Sequence, residues 1–352
     1  MTDRVAAVAA AVDYDAWTTT EDGALVPQIT TDTTIHAMLR LLDIRPGMQV
    51  MEIGTGSGYS GALLSRIVGS DGHVVSIDID TALINRARTL HNQARHTNIE
   101  LHASDGFWGW TNGEPFDRIV GWVTPHVLSA AWAAQAKPGA MIVTPVKIAD
   151  VAAANAVVRC AVNGDIHDGE LHPGNFIEMT SEIITEFGLP IRYVNAVRKS
   201  PDGPPWWISG HQFHGQPPTV PERLLRQLVE TEPESEFFNQ GSESWRAFTA
   251  FLLASTVNPA SVGSARGWGI GTATPDSIAI SLSNGVLLRA GTDEAYNEVT
   301  NVLKEWHELG EPDLIELTPC FIREENGWAV RPRSAAASNR SPQAVGPPSC
   351  AS

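Results

Sequence analysis

Glu52 closes an apolar run, Gln49 to Ile53, and Gly54-Thr55-Gly56-Ser57-Gly58-Tyr59 follows it directly. A strand that carries an acid at its end and runs into Gly-x-Gly-x-Gly at the start of a helix is a ligand-binding turn. Glycines let the backbone turn tightly and leave no side chain between it and a bound molecule. The third glycine falls two residues after the second rather than three, so the spacing is not the GxGxxG dinucleotide fingerprint. With an acid just before the turn, pyrophosphate is the worse guest. The carboxylate of Glu52 suits the ammonium or sulfonium of S-adenosylmethionine instead. Asp78 follows Gly54 by 24 residues, at the end of a second apolar run, where it can accept from both ribose hydroxyls. Asp105-Gly106 follows a third run, placed for the adenine amino group. Singly these features recur widely. In order, at successive strand ends, they predict a nucleoside cofactor, S-adenosyl-L-methionine, with S-adenosyl-L-homocysteine as product.

The elements that must position these residues are legible around them. Residues 1–17 read as a helix, and Ile35, Met38, Leu39 and Leu42 mark one face of another, with Thr31 or Asp32 placed to cap its start. From Gly47 onward strands alternate with helices: strands at Gln49–Ile53, His73–Asp78, Ile99–His102, Phe116–Gly121 and Ala140–Val146, and helices at Ser57–Val68, Thr81–Gln93 and Val127–Gln135. That rhythm predicts βαβ units and a mostly parallel sheet, α/β and Rossmann-like, with Val151–Val162 adding a further strand pair that turns at Asn163-Gly164. The pattern changes after Lys199. Residues 200–221 are rich in proline and glycine and read as a linker with aromatic anchors Trp206, Trp207 and Phe213. Residues 222–333 mix helices (around Pro221–Glu230, Trp245–Ala254 and Asp293–Leu309) with strands and a hairpin turning at Glu325-Asn326-Gly327. They predict a smaller C-terminal α+β domain for substrate recognition or docking. Residues 334–352, almost uncharged and rich in Ala, Ser and Pro, predict a disordered tail. The domain expectation is therefore 1–199 for cofactor binding, 200–221, 222–333 and 334–352.

Composition narrows the partners. The 352 residues carry 24 Lys+Arg against 40 Asp+Glu, a formal net charge of −16. Neither half is basic, which excludes a surface that tracks nucleic-acid phosphates. An acidic surface fits a cationic peptide partner or serves solubility alone. The three cysteines, Cys160, Cys320 and Cys350, are scattered and odd in number. They predict no disulfide framework and no CxxC metal pair, and with no signal peptide and no 18-residue apolar stretch they point to a reducing cytoplasm. His211 and His214, with His167, His172 and Cys160, lack the helical HExxH spacing of a zinc site, so no metal is expected.

The stretches EIGTGSGYSGALLS, ASDGFWG, EPFDRIV and KPGAMIVTPV resemble the protein-L-isoaspartate O-methyltransferases across roughly residues 25–150. The upstream Val26-Pro27-Gln28-Ile29-Thr30-Thr31-Asp32 is similar to that family's substrate loop. The resemblance implies a class I S-adenosylmethionine-dependent methyltransferase fold, with Glu52, Gly54, Thr55, Gly56, Gly58, Asp78, Asp105 and Gly106 around the cofactor. It puts Thr31 in the place of the active-site hydroxyl and Gln28, Ile29, Thr30, Asp32, Trp122 and Thr124 near the substrate. The chain departs from the family pattern at Thr33, where a proline is usual, at Gly121–Pro125, which lacks the small-residue run, and in its C-terminal extension. The extension resembles a subgroup acting in ribosomally made peptide natural product pathways. These enzymes methylate an aspartate side chain of a constrained peptide, and the ester then closes to an aspartimide (succinimide). The alternative is isoaspartate repair in damaged proteins. Either implies a peptide or protein partner carrying aspartate or isoaspartate, and neither a nucleic acid nor a membrane.

Overall fold

A computed structural model describes residues 3–27, 29–113, 115–184, 188–201, 203–233, 237–238 and 240–334. The chain opens with α1 (Arg4–Ala9) and α2 (Tyr14–Thr18) rather than one helix over 1–17, because the Asp13 carboxylate accepts from the Asp15 and Ala16 amides and starts a new helix. Next come α3 (Asp32–Leu42), β1 (Gln49–Ile53), α4 (Tyr59–Val68), β2 (His73–Asp78), α5 (Thr81–Gln93), β3 (Ile99–Ala103) and β4 (Phe116–Gly121). Val127–Gln135 is not a single helix. Leu128–Ser129 is the short strand β5, and α6 covers only Ala130–Ala134. Then β6 (Ala136–Lys147), β7 (Asn155–Val162) and β8 (Gly169–His172) complete a seven-stranded sheet of order β3-β2-β1-β4-β6-β7-β8. Its first five members are parallel, and β7 and β8 are antiparallel to their neighbours.

Alternation along these strands splits their side chains between two cores. Val50, Val74 and Val143 pack with Leu39, Leu63 and Leu64 of α3 and α4, whereas Met51, Ile53, Ile77, Ile142 and Val146 enter a larger cluster on the other face. That second cluster reaches far beyond the sheet. It takes in Trp132 of α6, Phe248 and Phe251 of α8 (Ser242–Ser255), Trp306 of α9 (Glu294–Glu308) and Trp328 of the last strand. The C-terminal region is thus not packed apart from the first sheet.

Its own sheet has six antiparallel strands: β9 (Ala196–Arg198), β10 (Trp206–Gly210), β11 (Pro259–Ser264), β12 (Gly267–Thr274), β13 (Ser277–Leu282) and β14 (Leu287–Gly291), with α7 (Thr219–Glu230) on one face. The stretch read as a linker therefore contains a strand, β10, whose five residues are all buried between β9 and β11. Its prolines lie outside the strand, and of its glycines only Gly210 is within it, at the last position. The two sheets are joined by buried hydrogen bonds: the Ala152 amide donates to Ser209 Oγ at 2.9 Å, and Ser261 Oγ donates to the Ala152 carbonyl at 2.7 Å. The final hairpin, β15 (Thr318–Glu324) and β16 (Gly327–Arg333), turns back to the first sheet and pairs with β5 through Gly327↔Ser129 and Trp328↔Leu128.

Cys160 is a free buried thiol, and Cys350 lies outside the described residues. The tail read as disordered lies, from residue 335, outside the described residues. Among the described residues no helix is long and apolar enough to cross a membrane, and no group of His, Cys, Asp or Glu could hold a metal ion.

Behind the glycine turn, His91 of α5 is 2% exposed, packed at 4.7 Å between ring centroids against Trp17 and bonded Nδ1 to Nδ1 with His96 at 2.9 Å. Burial, aided by His96, pushes the His91 imidazole down to about 4. Between pH 6.5 and about 4 the unfolded chain holds a proton that the folded chain does not, so stability falls as pH falls through this window. From pH 7.5 to 5 urea denaturation should show His91 costing about 2 kcal/mol of stability. His91→Gln should flatten the pH dependence by that amount; an unchanged slope would show that the ring is protonated in place.

Candidate active site

The parallel order reverses between β1 and β4, and a crevice outside the carboxyl ends of the strands at such a point is where open α/β sheets bind ligands. A cavity of about 440 Å³ lies there, with Gly54, Thr55, Gly56, Ser57, Asp78 and Gly106 on its wall. Gly54, Gly56 and Gly58 all have positive φ, at 93°, 51° and 86°. Their surroundings differ. A Cβ on Gly58 would meet Ala87 Cβ at 3.1 Å and Trp17 at 3.2 Å, whereas one on Gly56 would have only the Gly54 carbonyl, at 4.0 Å, and would project into open space. Gly58 is therefore set by packing, Gly56 by the cavity.

Asp78 Oδ2 accepts from the Gly56 amide at 2.9 Å and Oδ1 from the Asp80 amide at 2.9 Å, so the acid at the end of β2 holds the glycine turn while facing the cavity. Burial raises its carboxyl above the usual range, against the pull of those two amides. Gly106 lines the cavity as well, and a Cβ there would stand 2.6 Å from Ile53 Cγ2. Asp105 is not on the wall. Its carboxylate accepts from the Phe107 amide at 2.9 Å and starts a short 3-10 turn over Gly106–Trp108.

Glu52 corrects the sequence reading. It is 0% exposed and lies behind the turn rather than on the cavity wall. Its Oε2 accepts from Ser76 Oγ at 2.6 Å, Ser76 Oγ lies 2.6 Å from Thr55 Oγ1, and its Oε1 accepts from Trp122 Nε1 at 3.0 Å. Burial raises this carboxyl, with hydrogen bonds from Ser60, Ser76 and Trp122 opposing it. Both oxygens are engaged and neither reaches the cavity wall, so Glu52 does not meet a ligand ammonium directly; it aims the Trp122 indole.

A second cavity, of about 610 Å³, abuts the first. Ile29, Thr30, Trp122 and Ile177 line both, so they form the shared wall. Thr31 lines the second cavity only. It is the N-cap of α3, its Oγ1 accepting from the Thr34 amide at 3.4 Å and lying 2.9 Å from Thr34 Oγ1. The loop before it is tethered by Tyr14 Oη, which donates to the Thr30 carbonyl at 3.0 Å. Asp32 lines neither cavity and accepts from the Thr33 amide; Gln28 lies outside the described residues.

Thr124 is also moved from the substrate to the scaffold. It is fully buried, its hydroxyl donates to the Phe176 carbonyl at 3.0 Å, and its backbone is bonded to Ile177 and Met179. These bonds hold residues 176–179 across the ends of the strands, where Ile177 joins the shared wall. The same segment is anchored by a buried ion pair, Lys147 Nζ to Glu178 Oε1 at 2.5 Å, with side chains 1% and 8% exposed. Sequence reasoning missed this strap, which has neither helical nor strand periodicity. It also missed the far side of the second cavity, formed by Trp245, Arg246, Thr249 and Leu253 of α8 and by Trp268 and Ile270 of β12.

The charges of the two cavities are opposite. The described wall of the first has Asp78, Asp80, Glu178 and Glu182 and no Lys or Arg, although both Glu178 oxygens are buried from it. A pyrophosphate would be repelled there; a nucleoside carrying sulfonium and ammonium fits. The second has Arg246 and no acid.

A Rossmann-like parallel sheet with an acid-walled, glycine-turned crevice at its reversal point defines a class I S-adenosylmethionine-dependent methyltransferase. The chain belongs to the protein-L-isoaspartate(D-aspartate) O-methyltransferase family, which matches residues 2–183. It is 35% identical over 112 residues to the protein-L-isoaspartate O-methyltransferase of Methanothrix thermoacetophila, covering 32% of this chain and 53% of that one. To the protein of the same name from Anaeromyxobacter dehalogenans it is 34% identical over 144 residues, 41% of this chain and 68% of that one. The chain thus spans about half to two thirds of the length of these relatives. A solved structure with the name protein-L-isoaspartate O-methyltransferase is similar over 95% of both chains, at 15% identity and a TM-score of 0.49.

The two glycines separate the cofactor from the fold. Gly56→Ala should weaken S-adenosylhomocysteine binding at least tenfold by calorimetry while lowering stability by only about 1 kcal/mol, through its left-handed backbone alone. Gly58→Ala should lower stability by about 2 kcal/mol through its left-handed backbone and its contact with Trp17. Glu52→Ala should cost about 3 kcal/mol by orphaning the Trp122 and Ser76 donors, and Glu52→Gln, which keeps an acceptor for the indole, distinctly less.

Proposed function

We propose that the protein is a carboxyl O-methyltransferase that esterifies an aspartate side chain of a ribosomally made, constrained peptide, the ester then closing to an aspartimide. The observation that carries this reading is the second cavity, which adjoins the cofactor cavity along one shared wall and takes its other wall from the C-terminal region. A repair enzyme must admit isoaspartate from many unrelated chains; a cavity half-enclosed by an added region favours one defined peptide. The family match at residues 2–183 favours isoaspartate repair as the second reading.

The residues fit the cofactor by charge and by space: Gly54, Gly56, Asp78 and Gly106 would hold it. When bound, S-adenosylmethionine supplies a methyl group on positively charged sulfur. The acceptor carboxyl, with pKa near ~4, is already ionised at neutral pH, so no general base is needed. Orientation and exclusion of water supply the rate. The Thr31 hydroxyl, on the wall of the second cavity, would donate to the acceptor carboxylate and fix which oxygen faces the shared wall. The Trp122 indole, held by Glu52, and Ile177 keep that wall apolar. Once the ester has formed, the backbone nitrogen of the next peptide residue attacks its carbonyl carbon, the C–O bond breaks, and methoxide leaves with the amide proton as methanol.

Mass spectrometry with S-adenosylmethionine and two peptides tests the reading. A gain of 14 Da followed by a net loss of 18 Da on a constrained aspartyl peptide supports it; a gain of 14 Da on a short isoaspartyl peptide alone would leave the repair reading in its place. For Thr31, the hydroxyl and the helix cap separate cleanly. Thr31→Asp keeps a capping side chain but sets a negative charge against the acceptor, and should lower kcat at least 100-fold; Thr31→Ser should retain most activity. Full activity in Thr31→Asp would reduce Thr31 to a cap.

A further inference from the structure

We infer that Arg246 is a specificity-determining residue that binds a second carboxylate of the substrate peptide, so that the preferred substrate carries an acidic group near its methyl-accepting aspartate. This deepens the proposed function and rests on it for the identity of the second cavity as the acceptor site.

Arg246 lies on α8, is solvent-exposed and lines the 610 Å³ cavity. Its guanidinium has no ion pair or hydrogen bond among the described residues; its carbonyl alone is engaged, by Thr249 Oγ1 at 3.1 Å. In a chain with 40 acidic and 24 basic side chains, an unpaired arginine in a cavity whose described wall has no Asp or Glu is a local reversal of the overall charge. The remaining polar groups there are neutral: the hydroxyls of Thr30, Thr31, Thr34 and Thr249 and the amides of Asn155 and Asn175. One planar guanidinium among neutral donors matches a single carboxylate, which it can take through two parallel N–H donors. A nucleic-acid backbone would call for several cations.

The position of Arg246 decides which carboxylate. The reacting group must reach the wall shared with the cofactor cavity, formed by Ile29, Thr30, Trp122 and Ile177. Arg246 is not part of that wall; it comes from the C-terminal region together with Trp245, Thr249 and Leu253. It therefore meets another anionic group of the same peptide, an acidic side chain or a terminal carboxylate. A guanidinium held away from the acceptor also leaves that oxygen's nucleophilicity intact.

The test uses the full chain saturated with S-adenosylhomocysteine and three probes in calorimetry: acetylated, amidated tetraglutamate; acetylated tetraglutamine with a free C-terminal carboxylate; and acetylated, amidated tetraglutamine. Binding of the first identifies a side-chain carboxylate as the ligand, binding of the second alone a terminal one, and the third should not bind. Arg246→Gln should weaken the bound probe at least tenfold and Arg246→Lys about threefold, with S-adenosylhomocysteine affinity as the check that each variant is folded. In turnover of aspartyl peptides flanked by glutamate or glutamine, Arg246→Gln should raise KM at least tenfold for the first only and change kcat less than twofold. Equal binding of all three probes, or none, or an unchanged affinity in Arg246→Gln, would overturn the assignment. The binding arm needs no methyl transfer, so failure of the proposed reaction and failure of the Arg246 assignment are read separately.

Discussion

The hydrogen bond from the Trp122 indole to the buried carboxylate of Glu52 is the constraint on which both cavities depend. One end of this contact is fixed by β1 and by Ser76 of the neighbouring strand; the other is the partition between two chambers. Because Glu52 has no exposed surface, the partition is anchored from within the sheet rather than from the solvent side. Buried carboxylates are costly unless their lone pairs are satisfied, and here both oxygens are. The arrangement converts a strand-end acid into a rigid mount for an aromatic wall.

On either side of that wall the electrostatics are matched to opposite guests. Acids, led by Asp78, line the chamber with the glycine turn, and a single arginine with neutral hydroxyls and amides lines the other. With an indole rather than water between the chambers the two fields are screened little, so a cation on one side and an anion on the other also attract across the wall. A cationic donor and an anionic acceptor can therefore occupy adjoining chambers, each stabilised by its own lining.

Much of this was legible in residue types and spacing. The glycine turn, Asp78 and Gly106 follow strands whose apolar runs are local signals, and β1, β2, β4 and α5 fall where periodicity puts them. Glu52 was visible as an acid but not as a mount, because its partner lies 70 residues away and sequence spacing says nothing of where a side chain points. β12 was invisible for the opposite reason. Gly269 and Gly271 are poor strand formers, yet added Cβ atoms there would collide with the carbonyls of Ser281 and Ala279 on β13, so glycine is what the close strand approach requires. β10 was hidden by the breakers flanking it, and β5 exists only because a hairpin some 200 residues later supplies its partner.

That last pairing has a bearing on how the chain becomes a protein. The hydrophobic cluster beneath the first sheet is completed by Trp328 and Val330, among the last described residues, and by α8 and α9. A nascent chain released only to residue 200 would hold its glycine turn and most of its strands but leave Ile142, Val158 and Leu171 facing water. Such long-range closure slows folding, because side chains before residue 171 wait for partners as late as Val330. The first sheet and the C-terminal region, which share this cluster, should then unfold as one cooperative unit rather than as separate halves.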